Sequence, residues 1–468
     1  MNREQSGSVS VKRSLGVVGG SRIAIQTIQL IVFIVLTHWV APHEFGVYAL
    51  CVSAFSLAVL VSNATLQSAT MLHGEGDLAV QRTAFTANVL IVGVASAVIW
   101  FFAEYVQLQL ELEGLASALR VTCGAILISI AVVPLVELER AQRFGWVAVA
   151  EVHGQVVAGI SSVVLEFAGY GATGLATGLF LGSSVTTLVL FCAHGGPVGF
   201  GLGRAPLSRI KRHASGMLGF GVGNYLVRNV DKFSLAGQST GLELGLYSRA
   251  YMLALMPVLL LGAVINRVLY PKLVSQRLES HFVQAATWRA VAQLPLSVGF
   301  AALAFLAVLS ADLVAVLFGT AWGGLSLPLA ILTLAGVPQL MGSSVGCVFQ
   351  SLDRAADLFW LVLLQFLLVG TGAVVGSGYG AVGAAVGVTV GSWMYIPGLM
   401  YRLSRVSSEI CVALVHESVA ALSWGVALCV AFAGIVLLTP RSVLALLLSS
   451  IVLLAFVATR LFLSPKGS

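Results

Sequence analysis

The chain has 468 residues, of which 58% are apolar and 9% charged, with a net charge of +6 at pH 7 and a mean hydropathy of +0.97. A water-soluble protein needs roughly 25% charged residues to clothe its surface, so the composition excludes a soluble globule and implies lipid as the solvent. The basic excess sits in short gaps between apolar runs, as beside an anionic leaflet, and not on a polar domain, which disfavours nucleic acid as a partner.

In chain order, the first 15 residues are polar and basic and the apolar run after them is of spanning length, which predicts an uncleaved insertion signal. Apolar runs of about 20 residues predict transmembrane helices. Fourteen are found, at 16–40, 45–68, 83–106, 119–138, 146–168, 172–194, 214–236, 244–270, 287–310, 325–351, 355–377, 381–401, 417–439 and 441–463. The expected architecture is an all-α polytopic membrane protein. Its parts are a tail (1–15), a first six-helix lobe (16–195), a linker (196–213), a second six-helix lobe (214–405) and two further helices with a short tail (406–468).

Charge sets the orientation. The even-numbered gaps and the two tails hold Arg3, Lys12, Arg13, Arg82, Arg140, Arg143, Arg204, Arg209, Lys211, Arg212, Lys272, Arg277, Arg289, Arg354, Arg402, Arg405, Arg460 and Lys466, whereas the odd-numbered gaps hold Arg441 alone. Basic residues stay on the cytoplasmic side, so both termini are expected there. The outward gaps carry Glu44, Glu111, Glu113, Glu243 and Asp312.

An internal repeat is legible. Glu44-Phe45-Gly46-Val47-Tyr48 returns as Glu243-Leu244-Gly245-Leu246-Tyr247, GYGATGLATG from Gly169 returns as GYGAVGAAVG from Gly378, and Glu139-Arg140-Ala141 matches Asp353-Arg354-Ala355. Three matches in order, at an offset of about 200 residues, indicate a duplication of six helices. Six is even, so both copies run the same way through the membrane. Both glycine turns also satisfy G-x-G-x-x-G, but that fingerprint has meaning only between a strand and a helix, and here it joins two spans. The phosphate-cradling G-x-x-x-x-G-K-[ST] is absent.

A charged group at bilayer depth faces a cavity or a partner. The first span carries Arg22, Gln26 and Gln29 at spacings of four and three, one helical stripe. The seventh, its repeat partner, carries Asn224, Arg228 and Asp231 on one stripe with Lys232 beside it. The second span adds Ser56, Asn63 and Gln67, and the fifth adds Glu151 and Gln155. One reading is a hydrated cavity between the two six-helix lobes, lined by cations that hold an anionic group such as a diphosphate; the other is an Arg228–Asp231 pair that tethers helices. Arg249 is either a cavity residue or an interfacial anchor. Glu151 and Asp231 are the candidates for coupling to a proton or sodium gradient. Pro134, Pro257, Pro338 and Pro397 fall within spans and permit bending. Neither the histidines nor the cysteines (Cys51, Cys123, Cys192, Cys347, Cys411, Cys429) show ligand spacing, so no metal or other cofactor is expected.

Several segments resemble motifs of bacterial polysaccharide flippases. Ala41-Pro42-His43-Glu44-Phe45-Gly46-Val47-Tyr48-Ala49-Leu50 is similar to that family's first outward turn. Asn224 to Asp231 followed by Leu244 to Tyr251 resembles its central segment, Tyr270-Pro271-Lys272-Leu273 its F-P-x-L, and Leu317-Phe318-Gly319 with Trp322 its F-G-x-x-W. The family is the polysaccharide transporter branch of the multidrug/oligosaccharidyl-lipid/polysaccharide exporters. The resemblance implies a MATE-like fold with a cationic central cavity, in a bacterial cytoplasmic (inner) membrane. It also implies flipping of an undecaprenyl-diphosphate-linked oligosaccharide for O-antigen, capsule or exopolysaccharide, and carries Arg228, Asp231 and Arg249 over as cavity residues. The family often has arginine ahead of its first outward turn; this chain has Thr37-His38-Trp39, so no role transfers there.

The expected activity is therefore transport, not catalysis, with membrane lipids and the polymerase and glycosyltransferases of the same pathway as partners. A drug or small-cation antiporter on the same fold, a membrane glycosyltransferase or polymerase, and a non-transporting assembly factor are the alternatives. A cation exporter calls for acidic cavity residues, and a polyprenyl-sugar enzyme for a sizeable outward loop; every outward gap here is short.

Overall fold

The computed structural model describes residues 20–73, 77–280, 284–439 and 442–463. Both tails, Arg441 and the side chains of Arg209, Lys211, Arg212 and Arg267 lie outside the described residues, and with them the expected placement of the termini.

In lipid a backbone must satisfy its own polar groups, which a helix does without partners. Every regular element among the described residues is helical. In chain order they are α1 (Gly20–Leu36), α2 (Pro42–His73), α3 (Leu78–Leu110), α4 (Leu115–Ile128), α5 (Val132–Arg140), α6 (Phe144–Phe167), α7 (Gly171–His194), α8 (Arg204–Gln238), α9 (Gly241–Ser280), α10 (Ala285–Val308), α11 (Ser310–Leu317), a 3-10 turn (Thr320–Leu325), α12 (Ser326–Ser351), α13 (Ala355–Ser377), α14 (Gly380–Val406), α15 (Ser408–Leu438) and α16 (Ser442–Leu463). A helix stands at each of the fourteen predicted spans. Length and apolarity are met by eleven, or twelve if α4 and α5 count as one bent span, so the count of fourteen is not confirmed. The two that fall short are α1, which is short over its described residues, and α8, which carries Arg228, Asp231 and Lys232.

The chain forms two compact units that divide between Tyr225 and Leu226, inside α8. In unit 1, α6 and α7 meet backbone to backbone. A Cβ on Gly182 would lie 2.6 Å from the Gly154 carbonyl oxygen, and one on Gly178 would lie 2.7 Å from that of Ala158. In unit 2, α13 and α14 do the same: Gly372 faces the Gly387 carbonyl, Gly376 faces that of Gly383, and a Cβ on Gly391 would sit 2.5 Å from the Leu368 oxygen. These hairpins flank the two G-Y-G-A turns of the sequence repeat, so the duplication is built into the packing. The third sequence match needs a shift of register. Asp353 (φ 58°) pairs in conformation with Gln142 (φ 55°), and Arg354 and Arg143 each cap the helix that follows, α13 and α6.

Unit 2 has a continuous core built from Trp288, Leu296, Leu340, Phe349, Leu399 and Leu403. α15 joins it through Ile410, Ala413, Leu414 and Ala421, and Glu417, 5% exposed, takes an ion pair from Arg289 at 3.1 Å.

Candidate functional site

Unit 1 contains a cavity of about 420 Å³ between α1, α2, the α4–α5 break, α6 and α7, within the range of about 300–1,000 Å³ usual for small-molecule sites. The break makes room for it. α4 and α5 are bent by 45° at residues 129–131. Pro134, in the first turn of α5, has no amide hydrogen to return to the preceding turn. At the end of α4 the Ile128 carbonyl accepts from the Ile130 amide at 2.8 Å and from the Thr187 hydroxyl at 2.9 Å.

Five of the polar residues singled out in the sequence meet there: Arg22, Gln29, Asn63, Glu151 and Gln155 line the cavity. Arg22 Nη2 stands 3.6 Å from Glu151 Oε1, with the arginine side chain 63% exposed. Gln29 donates to Gln155 Oε1 at 3.2 Å. Gln26 shares the stripe but is not among the lining residues. Among the described residues of the lining, Arg22 and Glu151 are the charged groups, one cation facing one acid. Small residues let the helices open the space: Gly154, Ala158 and Gly182 sit on the α6–α7 seam beneath it.

The remaining predicted residues belong to α8 and α9. Asn224, at the end of unit 1, is half-buried. In unit 2 the predicted stripe divides. Arg228 is exposed, while Asp231 is 2% exposed and accepts from the Tyr247 hydroxyl at 2.6 Å and from the Lys232 amide at 2.8 Å. Lys232 Nζ donates to Asn229 Oδ1 at 3.1 Å and stands 5.2 Å over the Tyr251 ring. Arg249 is half-buried, one Nη 3.7 Å from Met252 Sδ. Asp231 is thus held by tyrosine and backbone in a desolvated pocket where each bond is strengthened; it is not shown paired with Arg228.

Sequence reasoning did not select Tyr247 and Tyr251, whose signal was their i, i+4 spacing on the segment after Glu243. Ser129, Ser183 and Thr186 also line the cavity and gave no signal, since serine and threonine in a span ordinarily bond the preceding turn.

The sequence profile of the family described as "Polysaccharide biosynthesis protein" matches residues 35–326, more than half of the chain. The chain belongs to the polysaccharide biosynthesis protein family. Over 168 residues it is 26% identical to the lipopolysaccharide biosynthesis protein WzxC of Escherichia coli (strain K12), a stretch covering 36% of this chain and only 33% of that relative. In structure it is similar to the lipid II flippase MurJ in an inward closed conformation, with a TM-score of 0.76 and 14% identity over 94% of this chain and 98% of that one. It is also similar to an inward-facing multidrug resistance MATE family transporter of the MOP superfamily, with a TM-score of 0.61 and 16% identity over 84% and 98% of the two chains. At such identities the likeness is one of fold. The MATE-like architecture implied by the motifs is the one this family member has.

Proposed function

We propose that this protein is a flippase that carries a polyprenyl (undecaprenyl) diphosphate-linked oligosaccharide unit across the bacterial cytoplasmic membrane by alternating access, for O-antigen, capsule or exopolysaccharide assembly. Both termini lie in the cytoplasm, and the polymerase and glycosyltransferases of the pathway are its partners. The observation that carries the reading is the unit 1 cavity: amides from Gln29, Asn63 and Gln155 beside a largely exposed arginine, in a family member with a flippase-like fold. Amides exchange hydrogen bonds with sugar hydroxyls in either direction, and a guanidinium matches a phosphate fork.

The Arg22–Glu151 contact supports a coupling step. A diphosphate taking Arg22 displaces Glu151, which then takes a proton or sodium ion from the gradient, and release of the headgroup restores the pair. Unit 2 carries cations of its own in exposed Arg228 and the half-buried Lys232 and Arg249, and Asp231 is a second candidate for ion coupling. The test is complementation of a flippase-deficient strain. The chain should restore export, and Arg22→Ala and Arg228→Ala should abolish it while still accumulating in the membrane; normal export by both variants overturns the reading.

One observation supports a second reading. Glu151 balances Arg22 in the cavity, which a drug or small-cation/H+ antiporter would also tolerate. Protection of a drug-sensitive strain without restored polymer export would select it.

A further inference from the structure

The chain leaves α7 at His194 and runs to α8 through residues 195–203, a strap fastened along α3. The Gly201 and Gly203 amides donate to the Thr86 and Thr83 hydroxyls at 3.0 and 3.2 Å. Phe200 lies against Phe85, ring centroids 5.2 Å apart, and the Arg82 side chain passes under Gly199 and Gly201. At the root of the strap is a cluster outside the cavity lining. His194 Nε2 lies 2.5 Å from Glu137 Oε2 on α5, His194 Nδ1 lies 3.0 Å from the Gly196 carbonyl oxygen, and Gln81 on α3 donates to Glu137 Oε1.

Counting hydrogens decides what this cluster is. The Gly196 carbonyl and the Glu137 carboxylate both accept, so making both contacts at once needs a hydrogen towards each. A neutral imidazole has one N–H, and whichever nitrogen carries it, the other presents a lone pair to an oxygen that also has only lone pairs. Two acceptors do not rest 2.5 Å apart. One further proton is required, on Nε2 or on the Glu137 carboxyl.

We propose that His194, Glu137 and Gln81 form a proton-binding clasp that fastens the root of the strap to α5 and α3, and that loss of its proton releases that root. Among the described residues, the basic groups facing it from neighbouring elements bond backbone carbonyls or lie under the strap. Arg143 donates to the Ala193 carbonyl at 3.1 Å, Arg140 to the Thr70 and Met71 carbonyls, and Arg82 lies beneath the strap. The remaining acid nearby, Glu139, takes Gln67 at 3.2 Å. Once the clasp opens, Gly195 and Gly196, with φ of 101° and 143°, are the joint. The threonine tethers beyond them persist, so the motion is confined to the root. Because the strap leads into α8, the helix in which the two units divide, the clasp sets how firmly unit 1 holds that helix. The proposal does not depend on what the protein transports.

The test uses the full-length protein in detergent with its native cysteines replaced and a nitroxide attached after Pro197→Cys, an exposed position on the strap. Electron paramagnetic resonance spectra are taken from about pH 5 to pH 10, which spans ordinary carboxyl, imidazole and amine titration. An immobilised component should dominate at acid pH and be lost on the alkaline side. Glu137→Gln supplies an amide that donates to neutral Nε2, so its spectrum should stay immobilised throughout. An unchanging spectrum in the parent protein, or the same pH step surviving in Glu137→Gln, overturns the clasp.

Discussion

Glu44 and Glu243 show what a single residue contributes here. Each stands in an outward turn, and each reaches the first turn of a distant helix: Glu243 Oε2 accepts the Ala381 amide of α14 at 2.6 Å, and the Glu44 carboxylate lies against Gly171 at the start of α7. A carboxylate at a helix N-terminus answers both orphan amides and the dipole. The backbone pays attention to the same spot, since Gly171 (φ 52°) and Gly380 (φ 72°) adopt the left-handed region. Gly380→Ala forces a side chain into that region and towards Glu243, and should destabilise unit 2 by about 1–2 kcal/mol; a lowered thermal midpoint in detergent checks it, and an unchanged one refutes it. The sequence displayed both motifs as repeats but not that they touch, because 138 residues separate Glu243 from Ala381. Glu151→Gln belongs to this scale too. It frees Arg22 of its counter-charge, so binding of a polyprenyl diphosphate saccharide should tighten while export falls. Unchanged binding and export together would remove Glu151 from the coupling step.

Among the elements, the α4–α5 break is the one that sequence came nearest to showing. Pro134 marks a bending point in the sequence, and the break falls just ahead of it. Pro257, Pro338 and Pro397 carry the same signal, yet lie inside continuous helices, because neighbouring groups can satisfy the carbonyls a proline frees. A proline thus predicts a weak point, and packing decides whether it opens. At the break, Thr187→Val removes the side-chain donor to the Ile128 carbonyl and should cost about 1 kcal/mol, read as a lowered thermal midpoint. The α13–α14 seam is less forgiving. Gly387→Val would drive methyls into the Gly372 carbonyl and should cost at least about 1–3 kcal/mol, the usual effect of overpacking, whereas Gly346→Ala, with nothing within 4 Å of its new Cβ, should be near neutral. The short α11 and the 3-10 turn were read as an outward gap; Gly319 at φ 80° separates them, a conformation that no apolar pattern announces.

For the whole molecule, class, duplication and family were legible because each depends on a repeating or extended signal: apolar runs, alternating basic gaps, and motifs in order. The site was legible only in part. Helical spacing put Asn224, Arg228 and Asp231 on one stripe, but a stripe about 100° wide does not say which edge is buried, and Asp231 turns inward to Tyr247 while Arg228 faces out. Spacing likewise joined Arg22 to Gln26 and Gln29, and the cavity took the first and last. Charge was the weakest guide. The sequence shows where the cations stand but not what they meet: in the unit 1 cavity Arg22 faces Glu151, which lies on a helix far away in the chain.

The proposed activity is tested most directly by reconstituting the purified protein into liposomes with a fluorescent polyprenyl-diphosphate saccharide and following quenching by a membrane-impermeant reductant. The protein should render inner-leaflet headgroups accessible, and Arg22→Ala should slow that exchange by about 10- to 100-fold, the loss of one charge-assisted contact. Headgroups that stay protected beside the wild-type protein, or exchange as fast with Arg22→Ala, would contradict the flippase reading or the cavity's part in it, respectively.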